Sequence, residues 1–157
     1  MRRRTLSSIL YLEKIRSAPD EVRKIYTALE ERPLERTCIR RTQCCRFQLT
    51  GEIPYITRGE ALLAATALRA TGRKQLPVRS DHACPFLSDS TNSCLIYSDR
   101  PFACRTHYCD AAGGRRPRKE ILDLIHRLED LDASLNGRGP ISLPTAMPEA
   151  LSIVRSS

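Results

Sequence analysis

Seven cysteines in segments without helical or strand periodicity constrain the fold of this chain more than any other feature. They form two groups: Cys38, Cys44 and Cys45, and then Cys84, Cys94, Cys104 and Cys109. The second group spans residues 73–118, a stretch too long to lie unsupported and irregular inside a compact domain. A bound metal can order such a stretch, because its binding free energy contributes directly to folding.

Several interpretations of the cysteines remain open beside metal ligation: thiols with no joint role, disulfides, and redox switching of a pair. An odd number of cysteines cannot all pair within one chain. The N-terminal apolar run is too short for a signal peptide, since Glu13 and Lys14 end it. We therefore expect the cytoplasm, where thiols stay reduced and clustered cysteines more often hold a metal. No apolar stretch approaches the length of a membrane span, so we expect no membrane partner.

Seven thiolates exceed the four ligands of one tetrahedral site. They allow a four-cysteine site beside a three-cysteine site completed by histidine or water, or a cluster with spare ligands. His82 and His107, each two residues before a cysteine, are secondary ligand candidates, whereas His126 falls in a helical segment and is expected on the surface. All-thiolate ligation suits zinc, iron and iron–sulfur clusters, so the ion stays undecided between Zn²⁺ and iron.

The hydrophobic pattern predicts a mainly α fold, a small helical domain whose irregular loops are organised around a Cys-ligated metal site. Helices are expected near residues 6–16, 20–31, 58–71 and 119–135. We expect Pro19 to interrupt the first pair, and Thr57 with Glu60 to form a capping box that opens the third.

The remaining segments predict little regular structure. A short strand is expected at residues 47–49 or around residues 55–56. We expect one cysteine-cluster domain at residues 1–137, with its core motif at residues 36–110, and a proline-containing C-terminal tail at residues 138–157.

The strings CPFL at residues 84–87 and CLIYSDRPFACR at residues 94–105 resemble a cysteine-cluster family of zinc- or iron-chelating domains. An upstream cysteine group that ends in a vicinal pair, here Cys44-Cys45, belongs to the same pattern. That group reads C-x2-C-x2-C-C in the family, and Arg41 occupies its second position in this chain. The resemblance implies that the cysteines bind zinc or iron. It leaves a vacancy at Arg41 that a histidine or water would have to fill.

The chain is basic, with 26 Lys and Arg against 18 Asp and Glu and a net charge of +8. Arg-rich segments occur at residues 2–4, 36–41 and 115–119, and they permit a nucleic-acid or acidic protein partner. Arginines near the cysteines could also offset thiolate charge, and the candidates are Arg41, Arg46, Arg100 and Arg105.

Three functions remain open. The first is thiolate metal binding, in which the metal orders the fold. The second is a reactive iron or zinc centre with redox or transferase-type activity, and the third is a metal-stabilised nucleic-acid-binding module. The sequence contains no Ser-His-Asp order, HExxH motif or P-loop, so it does not decide whether the chain is an enzyme.

Overall fold

The computed structural model describes residues 6–155, so the basic segment at residues 2–4 lies outside the described residues. The elements in chain order are α1 (Leu6–Glu30), α2 (Phe47–Thr50), β1 (Tyr55–Ile56), α3 (Arg58–Ala70), β2 (Leu87–Ser88), β3 (Ser93–Cys94), α4 (Phe102–Thr106), α5 (Leu122–Ser134), β4 (Ile141–Ser142) and α6 (Leu143–Arg155). The mainly α prediction is confirmed.

Helix α1 continues through Pro19, so the expected break between two helices there is wrong. Proline inside a helix removes one backbone hydrogen bond and costs about 3 kcal/mol in isolation. Here Ala18, Pro19 and Val22 are all buried, and α1 packs against α3 and α5. Tertiary packing on both sides of the proline therefore keeps the helix continuous.

Helix α3 lies at the centre of the fold and contributes to two hydrophobic clusters. Leu62 and Leu68 join a cluster with Met147 of α6, while Leu63 joins a second with Val22 of α1 and Leu124 of α5. The helix begins with the predicted capping box, in which the Thr57 hydroxyl accepts from the Glu60 amide and the Glu60 carboxylate accepts from the Thr57 amide. This cap fixes the end of α3 that faces the cysteine loops.

The segment expected to be a tail contributes to the core. Strand β4 pairs antiparallel with β1, with Tyr55 opposite Ser142, and the Leu143 amide donates to the Pro54 carbonyl at 2.9 Å. The buried side chains of α6 are Leu143, Ala146, Met147, Ala150 and Leu151. Residues 141–155 therefore pack against the preceding part of the chain.

The cysteine-bearing segments contain only short elements. Phe47–Thr50 is one turn of α-helix and not a strand, and Gly51 ends that turn in the left-handed conformation, with φ of 69°. The other expected strand position, Tyr55–Ile56, is confirmed as β1. Strands β2 and β3 form a separate antiparallel pair in which Leu87 lies opposite Cys94. Across residues 6–155, none of the helices combines the length and the apolar character that crossing a membrane would require.

Candidate metal centre

A cavity of about 930 Å³ opens between the cysteine loops and the helices. Six of the seven cysteines border it: Cys38, Cys44, Cys45, Cys84, Cys94 and Cys104. These residues come from the two cysteine groups, which lie far apart in sequence. The sequence identified these residues as possible ligands only because they are all cysteines, and the fold places them around one cavity.

Local backbone geometry brings the cysteine segments together. Cys44 and Cys45 lie on a single 3₁₀ turn, Gln43–Cys45, and Thr42 enters that turn in the left-handed region with φ of 59°. The Cys84 amide donates to the Cys45 carbonyl at 2.6 Å, which joins the first cysteine group to the second. Cys94 ends β3, and Cys104 lies in α4.

Glu60 connects α4 to the helical core. Its carboxylate accepts from the Phe102 amide at 2.8 Å and from the Tyr26 hydroxyl at 3.1 Å, in addition to the amide and hydroxyl of Thr57. The side chain is buried, and burial raises the pKa of its carboxyl group. Sequence reasoning identified the helix cap at Glu60 but missed these two long-range bonds, because no local pattern encodes them.

A second, smaller cavity of about 30 Å³ adjoins the first. Cys38, Cys44, Cys109 and His107 all border it. The other secondary ligand candidate, His82, is exposed and borders neither cavity. His126 is exposed on α5, as expected.

The thiols have contrasting electrostatic environments. Burial raises the pKa of Cys84 to about 12, and it also raises the pKa of Cys94 and Cys104. A hydrogen bond donated by Cys45 lowers the pKa of Cys44 below its usual value, and the pKa of Cys45 rises in return. Thiolate is the metal-binding form of cysteine, and the buried thiols need a nearby cation to reach it.

Of the arginines expected to offset thiolate charge, Arg100 lies where it can do so. Its positive charge contributes to the lowered pKa of Cys44 and partly opposes the rise that burial causes in the pKa of Cys94. Arg105 has another role. It donates to the Glu30 carboxylate at 2.5 Å and to backbone carbonyls of Arg100 and Ser98. It therefore joins α4 to α1.

The two remaining arginine candidates, Arg46 and Arg41, have different surroundings. Arg46 donates to the Asn92 side chain at 3.2 Å and lies 4.0 Å from the Asp81 carboxylate. Arg41 borders the small cavity. A guanidinium stays protonated and offers only donors, so Arg41 cannot act as a metal ligand.

All seven cysteines are free thiols. Within residues 6–155, no three Cys, His, Asp or Glu side chains stand in an arrangement that could already hold a metal ion. The donors nevertheless fit zinc or iron in chemical type, because thiolates are ligands that both ions favour. The donor residues border the same two cavities, but their side chains are not yet arranged as the ligands of an ion.

The comparisons with known proteins agree with the cysteine pattern. Residues 36–121 match the family named CxxCxxCC and described as "Putative zinc- or iron-chelating domain". The chain has no match among curated proteins or among solved structures. The matched region covers more than half of the chain and includes all seven cysteines, and the chain therefore belongs to the CxxCxxCC family of zinc- or iron-chelating domains.

Proposed function

We propose that this protein binds zinc or iron through the thiolates of its seven cysteines, and that the bound metal orders the loops between α1 and α5. The observation that carries the proposal is the convergence of six cysteines, from two groups far apart in sequence, on one cavity. Free cysteines that act only as small apolar side chains are not expected to gather in this way.

The charge environment supports a cationic occupant. Burial raises the pKa of Cys84, Cys94 and Cys104, so burial favours the neutral thiol at all three positions. A metal ion makes the thiolate favourable and releases the protons on binding. Arg100 also borders this cavity, and its positive charge favours the thiolate form of Cys44 and Cys94.

The architecture supports a structural role for the metal. Helices α1, α3, α5 and α6 bury their apolar faces. The loops add Phe86, Leu87 and Ile96 to the same core, but their other segments contain only short elements and individual hydrogen bonds, such as that from the Cys84 amide to the Cys45 carbonyl. An ion shared by several loops would restrict all of them together. The cytoplasmic location expected from cysteine usage remains a prediction, as does an acidic or nucleic-acid partner.

Anaerobic purification, followed by elemental analysis and a visible spectrum, tests the proposal. A colourless protein with stoichiometric zinc would identify zinc as the ion, and a brown protein with broad visible absorption would identify an iron–sulfur cluster. Cys104→Ser should lose metal, while Ser93→Ala, a change beside another cysteine, should keep it. A wild-type chain without zinc or iron, or a Cys104→Ser chain with full metal content, would contradict the proposal.

A further inference from the structure

The lining of the small cavity contains the residue types of a zinc-type ligand set. Cys38, Cys44, Cys109 and His107 all border a volume of about 30 Å³. A cavity of about 10–15 Å³ accommodates one water molecule, so the small cavity has room for a single ion and not for a cluster. Three cysteines and one histidine are a common ligand set of structural zinc.

The two cavities divide the cysteines unequally. Cys45, Cys84, Cys94 and Cys104 border the large cavity but not the small one, whereas Cys109 borders only the small one. Cys38 and Cys44 border both cavities, and so does His107. The vicinal pair is therefore split, because Cys44 reaches the small cavity and Cys45 does not.

The substitution at Arg41 leaves the small cavity one thiol short, and His107 is placed to replace it. Cys38, Cys44 and Cys109 border this cavity, and Arg41 borders it too without being able to ligate a metal. His107 follows α4 directly, and its amide donates to the Ala103 carbonyl at 3.0 Å, which holds its backbone at the helix end.

We propose that Cys38, Cys44, Cys109 and His107 form a separate single-ion site of the zinc type, with His107 in place of the cysteine that the family has at Arg41. The site lies beside a four-cysteine site built from Cys45, Cys84, Cys94 and Cys104. This inference rests on the proposed function, since it assumes that the cysteines bind metal at all.

His82 provides a matched control for His107. Each histidine precedes a cysteine by two residues, so sequence spacing does not distinguish them. His82 is exposed, borders neither cavity and has a left-handed backbone, with φ of 53°. Asparagine is a suitable substitution at both positions, because it tolerates the left-handed region and lacks an imidazole.

The experiment uses the full chain, prepared metal-free under anaerobic reducing conditions and then titrated with Co²⁺ or Zn²⁺. Elemental analysis gives the number of ions bound, the Co²⁺ absorption spectrum reports their ligands, and far-UV circular dichroism confirms that the helices are retained. We expect wild type and His82→Asn to bind two ions. His107→Asn should keep one ion and bind the other at least about tenfold more weakly. Removing a residue that only hydrogen-bonds to a metal ligand already weakens metal binding by about that factor, so removing a ligand itself should weaken it at least as much.

Two cysteine variants assign the ions to the cavities. Cys109→Ser should weaken the same ion as His107→Asn, and Cys84→Ser should weaken the other one. Two ions bound by His107→Asn with unchanged affinity and Co²⁺ spectrum would overturn the inference while leaving thiolate metal binding intact. The same holds for a wild-type chain that binds a single ion. A wild-type chain that binds no ion would overturn the proposed function as well.

Discussion

Replacing Glu60 with glutamine tests the connection between the helical core and the helix that carries Cys104. The Glu60 carboxylate accepts four hydrogen bonds, two from Thr57, one from the Tyr26 hydroxyl and one from the Phe102 amide. Two of these donors are backbone amides, which cannot reverse their role. The two hydroxyls can either donate or accept.

The magnitude follows from this difference. Oε1 of Glu60 receives one hydroxyl and one amide, and Oε2 also receives one of each. Whichever oxygen the glutamine NH₂ replaces, a hydroxyl can turn to accept from it, but one buried backbone amide loses its acceptor. Such an unsatisfied donor costs about 1–3 kcal/mol, and Glu60→Ala, which orphans both amides, should cost about twice as much.

Urea-induced unfolding followed by far-UV circular dichroism measures these differences on the protein as purified. Glu129→Gln is the control, because it makes the same chemical change at an exposed position of α5 and should alter the free energy of unfolding by less than about 0.5 kcal/mol. If Glu60→Gln unfolds at the same urea concentration as Glu129→Gln, with the same slope, the four bonds do not join these elements as argued.

Four further outcomes are expected. Burial raises the pKa of Glu60 above its ordinary value of 4.5, so the folded state binds more protons than the unfolded state between these two pKa values. Wild-type stability should therefore fall as the pH rises through that window, and urea unfolding across the acidic range should show that Glu60→Gln lacks this slope. Arg105→Lys should lower the free energy of unfolding by about 2–4 kcal/mol, because an ammonium group cannot reproduce the guanidinium fork that donates to three acceptors. An unchanged free energy of unfolding in denaturant would contradict this prediction. Gly137→Ala should lower thermal stability by about 1–3 kcal/mol, since its Cβ would lie 2.2 Å from the Asp132 carboxylate, and an unchanged melting temperature would refute this contact. Chelation of the metal should speed tryptic cleavage within residues 36–118 while most helical circular dichroism remains, and equal cleavage rates with and without chelator would contradict a structural role for the metal.

Strong local patterns were sufficient for much of the helical framework. The capping box at Thr57 and Glu60 and the apolar stripe of α5 are both present, because each depends on neighbours within one or two helical turns. Local rules failed at Pro19, where buried packing offsets the cost of a proline inside a helix. They also failed for Phe47–Thr50, where a four-residue apolar segment does not distinguish a strand from a helical turn.

The amino-acid sequence by itself determined the chemistry of this protein: seven soft donors, an arginine in place of an eighth, and membership of a zinc- or iron-chelating family. Only the tertiary structure decided which of these residues border the same cavity. His82 and His107 have the same spacing to the next cysteine, yet a left-handed turn leaves the first exposed and the end of α4 holds the second at the small cavity. Their difference arises from long-range packing, because the bond from Phe102 to Glu60 fixes α4, and a spacing rule contains no information about a contact 42 residues away.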